Sequence, residues 1–301
     1  MLSKDKITNW LYTNCRDECG DLMLNYLDLT KFNNVYFNNN HIKGNLYQGE
    51  HLVEGDLHQS KHNVEGGLFQ CEQTVKMNLD QYGQKVDGDL IQFHQAVKGN
   101  LYQELQTVGK DLSQGKQTVG ENLFQSGQNV KGDLYQDEQI IKGNLYQHNQ
   151  RVNGNLHQHY QLVGNFLYQN GQEVGGHLYQ HDQIVKGNLE QYSQRIEGDL
   201  YQHEQIVKGD LHQESQTVGK DLSQGGQKVG CNLFQSGQKV KGDLFQSEQE
   251  VGRNLWGHKL NNNEYWEECE AFVIRNKKMK TITLDELKAM GYILKEKQKE
   301  E

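Results

Sequence analysis

The sequence predicts an all-β fold, a β-solenoid of about ten stacked coils, from three observations. First, residues 42–261 divide into twenty units of eleven residues without an insertion. Second, each unit follows the pattern V-x-G-[DN]-L-x-Q-x-x-Q-x, whose residues are numbered here as positions 1 to 11. Third, the 301 residues include no proline, as expected where nearly every backbone N–H is needed for strand pairing.

The residue types within each unit favour strands over helix. Position 1 is Val or Ile and position 5 is Leu in all twenty units, while position 7 is Gln in nineteen and position 10 in seventeen. An eleven-residue period can also indicate a right-handed helical supercoil. However, β-branched residues, Gly and Asn or Asp each disfavour helix by about 0.5–1 kcal/mol. In β structure positions 5 and 7 share one side and Gly-Asn/Asp forms a turn, so each unit is two short strands and two corners.

The structural period is predicted to be two units, which together make a 22-residue coil, because alternate units differ. We call the unit that starts at Ile42 odd and the next one even. Position 11 is aliphatic in several odd units and in no even unit, and positions 4 and 9 also differ between the two sets. Ten coils at about 4.8 Å would form a rod about 48 Å long. The segment that starts at Thr107 recurs at Thr217, an offset of ten units or five coils.

The recurring GDLYQ and GNLYQ resemble the consensus of pentapeptide-repeat proteins, in which a small residue, Asp or Asn, and Leu or Phe precede two variable residues. Before the array, the same five-residue spacing joins Leu22, Leu27, Phe32, Phe37 and Ile42. The resemblance implies a right-handed four-sided β-helix, and some members of that family mimic duplex DNA and bind topoisomerases. The spacing departs from the family, with eleven residues per two sides instead of ten. VKGDL is also similar to the repeats of bactofilins, which are filament-forming β-solenoids.

Three segments follow from this pattern. Residues 1–41 are expected to form a helical N-terminal cap and degenerate first coils, and residues 42–261 the repeat array. Residues 262–301 are expected to form a C-terminal cap with a short helix, started by a capping box at Thr283–Glu286, and a charged tail. Such caps cover the open strand edges that a solenoid exposes at its ends.

Composition and charge limit the functional classes. The net charge of −9 and pI of about 5.8 argue against direct binding to nucleic acid or to acidic membranes. No apolar run is long enough to span a bilayer, and the first residues lack the apolar core of a signal peptide. The five cysteines are scattered, without paired CxxC motifs, which predicts reduced thiols, a cytoplasmic location and no zinc site.

The first candidate functional feature is an aliphatic column at position 11 of four consecutive odd units, formed by Ile140, Leu162, Ile184 and Ile206. In a coil of two units these side chains lie directly above one another. Facing outward, they would form an apolar strip of a size that often marks an interface. The alternative is a corner that turns them inward.

Two further sets of side chains are predicted at the surface. Position 6 is aromatic in twelve units, and its side chains either stack on one another or form a platform for a partner or a sugar chain; the candidates are Tyr135, Tyr146, Tyr168, Tyr179 and Tyr201. Acidic columns at positions 4 and 9 could imitate the charge of DNA, although lysines at position 2 offset them; the candidates are Asp133, Glu138, Asp182, Asp199 and Glu204. The aspartates at position 4 are expected to bond their own turn backbone.

Neither catalytic residues nor a cofactor can be assigned. His159, His181 and His203 recur once per two units, with His148 on the opposite half of the coil, but a straight histidine column does not match tetrahedral metal binding. The sequence therefore predicts a protein-binding solenoid without catalytic activity, whose partner is an unidentified protein or a second copy of the chain. In its most specific form, this prediction is an inhibitor that acts on a nucleic-acid enzyme by imitating DNA. The alternatives are a filament-forming scaffold and a catalytic β-helix acting on polysaccharide, for which no groove of acids and bases is recognised.

Overall fold

The structure, a computed structural model, describes residues 21–25, 29, 31 and 34–253 and the backbone of residues 255–257. This part of the chain forms four parallel β-sheets, each with one strand from every coil, and contains no helix. The predicted all-β solenoid is confirmed. Among these residues there is no helix long and apolar enough to cross a membrane. The predicted helices in the two terminal caps lie outside the described residues.

Each sheet forms one side of the rod, and we name the sides faces 1 to 4 in the order in which a coil passes through them. Face 1 contains positions 5 and 6 of the odd units, and its eleven strands are Leu22–Met23, Leu46–Tyr47, Leu68–Phe69, Leu90–Ile91, Leu112–Ser113, Leu134–Tyr135, Leu156–His157, Leu178–Tyr179, Leu200–Tyr201, Leu222–Ser223 and Leu244–Phe245. Face 2 joins position 11 of the odd units to position 1 of the even units, and its ten strands are Leu52–Val53, Thr74–Val75, Ala96–Val97, Thr118–Val119, Ile140–Ile141, Leu162–Val163, Ile184–Val185, Ile206–Val207, Lys228–Val229 and Glu250–Val251.

The other two faces lie opposite these and are built from the alternate units. Face 3 contains positions 5 and 6 of the even units, and its eleven strands are Asn34–Tyr36, Asp56–His58, Leu79–Asp80, Leu101–Tyr102, Leu123–Phe124, Leu145–Tyr146, Leu167–Tyr168, Leu189–Glu190, Leu211–His212, Leu233–Gln235 and Leu255–Gly257. Face 4 joins position 11 of the even units to position 1 of the odd units, and its ten strands are His41–Ile42, Asn63–Val64, Lys85–Val86, Thr107–Val108, Asn129–Val130, Arg151–Val152, Glu173–Val174, Arg195–Ile196, Thr217–Val218 and Lys239–Val240.

Strand register confirms the 22-residue coil. On face 3 Leu101 pairs with Leu123, and on face 2 Ile140 pairs with Leu162, each exactly two units further along the chain. In the first pair of face 1, Leu22 with Leu46, the two residues are separated along the chain by two residues more than in these pairs. Equivalent positions therefore stack in straight columns along the rod, and odd and even units occupy opposite sides of it.

The interior contains two apolar columns with a polar layer between them. The Leu and Val or Ile residues of positions 5 and 1 are buried and form one cluster behind faces 2 and 3 and a second behind faces 4 and 1. Between the clusters run the glutamines of positions 7 and 10, which are also buried. Because buried amides are costly unless hydrogen-bonded, this layer depends on pairing along and across the rod.

Gln103 illustrates the amide network. Its Nε2 donates to the Oε1 atoms of Gln81 and Gln95, both at 3.0 Å. Its own Oε1 accepts from Nε2 of Gln125 at 3.1 Å and of Gln117 at 3.2 Å. The amides thus bond both to the coil below and across the interior, as stacked Asn and Gln side chains do in cross-β structures.

Two kinds of corner connect the faces. The long corners turn at position 9, which has a positive φ of 50–67° in every unit from Glu50 to Glu248. At the short corners, position 4 holds neighbouring coils together: the Asp133 backbone N–H donates to Oδ1 of Asp111 at 2.8 Å, and the Asn155 N–H to Oδ1 of Asp133 at 2.6 Å. The expectation that these aspartates bond their own turn was wrong, since their Oδ1 atoms accept the backbone N–H of position 4 in the next coil.

The polar layer begins abruptly at the first complete coil, where position 10 is His51 and His62 instead of glutamine. Four buried polar atoms here have no hydrogen-bond partner among the described residues: Gln48 Nε2, His51 Nδ1, Gln59 Nε2 and His62 Nε2. Burial lowers the pKa of His62 to about 3. The Nε2 groups of Gln48 and Gln59 have no glutamine to donate to, because the sequence that precedes this coil contains none.

Candidate functional site

The aliphatic column lies on face 2 and points outward. Ile140, Leu162, Ile184 and Ile206 are 47%, 37%, 41% and 41% exposed and stand in register on consecutive strands. Position 1, which follows each of them, is buried, so strand alternation turns position 11 to the outside. We call these four residues the apolar strip. The inward alternative is excluded by their exposure.

Charged columns border the apolar strip on both sides. On the side of face 1, position 9 of the odd units supplies Glu138, Asp182 and Glu204. On the side of face 3, position 2 of the even units supplies three exposed lysines, Lys142, Lys186 and Lys208. These lysines form no ion pair with any other described residue. The surface is therefore ordered as an acidic column, the apolar strip and a basic column, and face 4 shows no such arrangement among its described residues.

The aromatic residues of position 6 form two ladders on opposite faces. On face 1, Tyr135, His157, Tyr179 and Tyr201 stack with ring centroids 4.8, 4.7 and 5.1 Å apart. On face 3, the corresponding ladder contains Tyr102, Phe124, Tyr146 and Tyr168, with centroids 4.9–5.1 Å apart. This geometry is that of self-stacking, worth about 0.5–1.5 kcal/mol per pair. The use of either ladder as a platform for a partner stays a prediction.

The predicted acidic residues lie in two separate columns along the two edges of face 1. Asp133 and Asp199 are at the short corner, where each also accepts a hydrogen bond from the nearest tyrosine hydroxyl, at 3.1 and 3.2 Å. That column is interrupted by Asn155 and His177, and the column of Glu138 by Tyr160. The carboxylate oxygens of Asp133 and Asp199 are already hydrogen-bonded at the corner. They are therefore less available to a basic partner than the number of negative charges suggests. Imitation of DNA by these columns stays a prediction.

Two hollows lie along the long corner between faces 1 and 2 in the described part of the chain. The smaller hollow, of about 310 Å³, lies beside Gly115, and the larger, of about 570 Å³, lies beside Gly225 and Gly226. Gly115 and Gly225 are the same position 8 in the two copies of the segment repeated at an offset of ten units. Each hollow therefore lies beside a glycine at position 8, where the neighbouring coils carry larger side chains.

Between the hollows lies a cluster of histidines and one aspartate. His159 stacks on His181 with centroids 4.6 Å apart, as the two-unit spacing predicts, whereas His203 is tilted away. The structure also brings His157 and Asp137 to this place, so that one ligand atom from each of Asp137, His157 and His159 lies within 4.8 Å of the others.

Burial sets the protonation of this cluster. It raises the pKa of Asp137 to about 6, and it lowers the pKa of His159 to about 4 with a further contribution from the neighbouring histidines His181 and His157. The Asp137 carboxylate and a neutral His159 therefore both exist in the neutral pH range. Both states are those in which these side chains bind metal ions.

Sequence reasoning missed two parts of this surface. Asp137 and His157 were not recognised because they belong to different columns from the histidines at position 8, although His157-Gln-His159 is a visible His-x-His motif. The lysines of position 2 were considered only as an offset to the acidic columns. The sequence holds a sign of their pairing, since E-Q-I-I-K, D-Q-I-V-K and E-Q-I-V-K occur at 138–142, 182–186 and 204–208.

The four-sided coil agrees with the architecture that the likeness to pentapeptide repeats implied, while membership of that family stays a prediction. The chain was compared with protein-family models, with curated proteins and with solved structures, and no match was found in any of the three comparisons.

Proposed function

We propose that this chain is a non-catalytic solenoid that works by binding protein through face 2, and that the partner on this face is a second copy of the chain. The observation that carries the proposal is the apolar strip, four aliphatic side chains exposed in one column on a regular sheet. Exposed apolar surfaces rimmed by charged residues are typical of interaction sites. A flat sheet also provides a rigid surface that loses little conformational freedom on binding.

Charge complementarity selects the orientation of the two copies. If two rods meet face to face around a twofold axis parallel to the rods, the acidic column of each copy lies against the basic column of the other. Each coil then meets the same coil of the partner, with Glu138 near the partner's Lys142 and Glu204 near the partner's Lys208. If the axis runs across the rods, acidic columns face each other and repel. The parallel, side-by-side dimer is therefore favoured.

Face 2 is large enough for a standard protein interface only if its whole length takes part. Ten strands at about 4.8 Å give face 2 a length of about 48 Å, and five extended residues at about 3.3 Å give it a width of about 16 Å. The product is close to the roughly 800 Å² per partner of a standard interface. The apolar strip supplies the desolvated centre of this area, and the ion pairs at its rim, worth at most about 1 kcal/mol each, define the orientation.

Light scattering on the full chain across a concentration series tests the association. We expect a dimer that Ile184→Glu separates, with the dissociation constant of the dimer raised at least about hundredfold. The reason is that two aliphatic side chains, one from each copy, lie buried in the interface and are replaced by carboxylates that face each other. The matched control is Thr217→Glu, which introduces the same residue at position 11 on the opposite face 4 and leaves the dimer intact.

Cross-linking tests the orientation. Thr118 lies on face 2 one coil before Ile140, so Thr118→Cys forms a disulfide between copies if the rods are parallel. An antiparallel dimer centred on the apolar strip would instead place Thr118 opposite Lys228 of the other copy. Only a mixture of the Thr118→Cys and Lys228→Cys variants would then cross-link. A wild-type chain that is monomeric at every concentration would contradict the second copy as partner. A mass that rises without limit would favour the filament-forming scaffold.

The described cysteines, Cys71 and Cys231, form no disulfide. This supports a reducing compartment, and we propose the cytoplasm as the location. Peptide mapping of the chain purified without reductant tests this part of the proposal, since disulfides in the native protein would contradict it.

A further inference from the structure

The cluster between the two hollows has the composition of a metal site. Asp137 belongs to one coil, and His157 and His159 belong to the next, so the three side chains meet only because the coils stack in register. His159 Nε2 lies 3.4 Å from Asp137 Oδ2. The three ligand atoms, within 4.8 Å of one another, need to move by about 1 Å to reach the separations around a single ion with bonds of about 2.0–2.2 Å.

Neighbouring contacts hold these side chains in place. The His157 ring is stacked between Tyr135 and Tyr179. The other carboxylate oxygen of Asp137 accepts the backbone N–H of His159 at 3.1 Å. Such second contacts orient ligands and are a regular feature of metal sites in proteins.

One further observation is independent of the spacing. His159 Nδ1 is buried and has no hydrogen-bond partner among the described residues, although buried polar atoms are normally paired. The unpaired atom is Nδ1, whereas Nε2 is the nitrogen that lies 3.4 Å from Asp137 Oδ2. When the proton of the neutral imidazole is on Nδ1, the Nε2 lone pair faces the carboxylate, and a cation between the two would be bound by both. The adjoining hollow of about 310 Å³, which Asp137 lines, leaves an open side for water.

We propose that Asp137, His157 and His159 bind one divalent transition-metal ion, with water from the adjoining hollow completing its coordination. Two imidazoles and one carboxylate suit zinc, nickel, cobalt or copper, whereas magnesium and calcium prefer oxygen ligands alone. The expectation of no metal, based on the straight histidine column, did not consider these three residues together. The site lies beside face 2 and does not depend on dimer formation.

The test uses Zn²⁺ alone, titrated by calorimetry into the full chain without an affinity tag and after treatment with a chelator. We expect binding of one equivalent, and a loss of affinity of about tenfold or more in each ligand variant. His157→Tyr keeps an aromatic ring in the ladder, and Asp137→Ser installs the residue that Ser247 provides at the duplicated position. His177→Asn, on the same side of the rod, is the matched control and binds as the wild type does.

A second readout separates these ligands from the cysteines. Co²⁺ bound to the chain should show visible d–d absorption without a thiolate charge-transfer band, because none of the three ligands is a cysteine. Circular dichroism of each variant shows whether its fold is retained. No saturable Zn²⁺ binding, or binding that survives both His157→Tyr and Asp137→Ser, would overturn the site.

Discussion

At the scale of single residues, the two histidines of the first complete coil are the clearest departure from the repeat. His51 and His62 occupy position 10, where later units place a glutamine that donates to the coil below and accepts from the coil above, as Gln106 does with Gln84 and Gln128. An imidazole has one donor and one acceptor in its neutral form, so it cannot reproduce an amide. The result is the group of unpaired buried atoms at the start of the polar layer.

His62 should make this end of the rod sensitive to acid. Its pKa is about 3 in the fold and about 6.5 when unfolded. The unfolded chain therefore binds a proton that the folded chain does not between these values, and stability falls as the pH falls below about 6.5. At pH 4.5 the loss is roughly 2 to 3 kcal/mol.

His62→Gln, which restores the repeat pattern, should remove this component. Urea unfolding of the variant and the wild type at pH 7.5 and 4.5 measures it, because the contributions of all other groups are common to both proteins. His94→Gln at an exposed corner is the control. A difference between His62→Gln and the wild type that does not change with pH would contradict the burial of a neutral imidazole.

At the scale of one structural element, the glutamine layer separates two apolar columns and binds each coil to the next. Its amides are complementary only in one direction, with each Nε2 directed toward the N-terminal end. A stack of identical groups can satisfy this polarity indefinitely along its length. Among the described residues of this layer, buried groups without a partner occur only where the layer begins, in the first complete coil.

Gln125→Glu tests the layer at its centre. Gln125 Nε2 donates to Oε1 of Gln103 at 3.1 Å and of Gln117 at 3.3 Å, and a carboxylate would place negative charge against these two acceptors. We expect the pKa of the new carboxyl to rise by about two units, which costs about 3 kcal/mol at pH 7.5. The cost should shrink as the pH falls through the raised pKa, since a protonated carboxyl can donate.

The measurement is the difference in unfolding free energy between Gln125→Glu and the wild type as a function of pH. Gln246→Glu, near the end of the layer and only partly buried, is the control and should cost much less. Equal costs at the two positions would indicate that the central amides are not shielded from water.

At the scale of the whole molecule, the fold separates the pattern that builds the core from the pattern that distinguishes the faces. The core positions 1, 5, 7 and 10 repeat from one unit to the next with few exceptions, whereas the surface pattern repeats in every second unit. A change in chain length by one unit therefore preserves every core contact type but exchanges face 2 with face 4 beyond the change. Folding and association can thus be altered independently.

Two deletions test this separation. Removal of residues 163–173, one unit, should leave a folded solenoid but move Ile184 and Ile206 to face 4, above Arg151. The apolar strip is then divided and the dimer is lost. Removal of residues 163–184, one coil, retains Ile140, Leu162 and Ile206 in one column and with them the dimer.

Circular dichroism and light scattering of the two shortened chains measure the outcome. If the one-unit deletion loses its β structure and the one-coil deletion keeps it, the odd and even units are not interchangeable in the core. A dimer that survives that deletion would contradict the apolar strip as its interface.

The sequence by itself determined the strands, the 22-residue coil and the buried positions of this protein, because each of these repeats so often that only one β arrangement buries all the leucines. It did not determine the left-handed backbone at position 9, where residues as different as Glu50, Leu105 and Gly127 share one corner conformation. Nor did it reveal that Asp111 holds the next coil, or that Asp137 meets His157. These features depend on what stands one coil away, about 4.8 Å in space but two units away along the chain, and only the stacking of the coils brings those partners together.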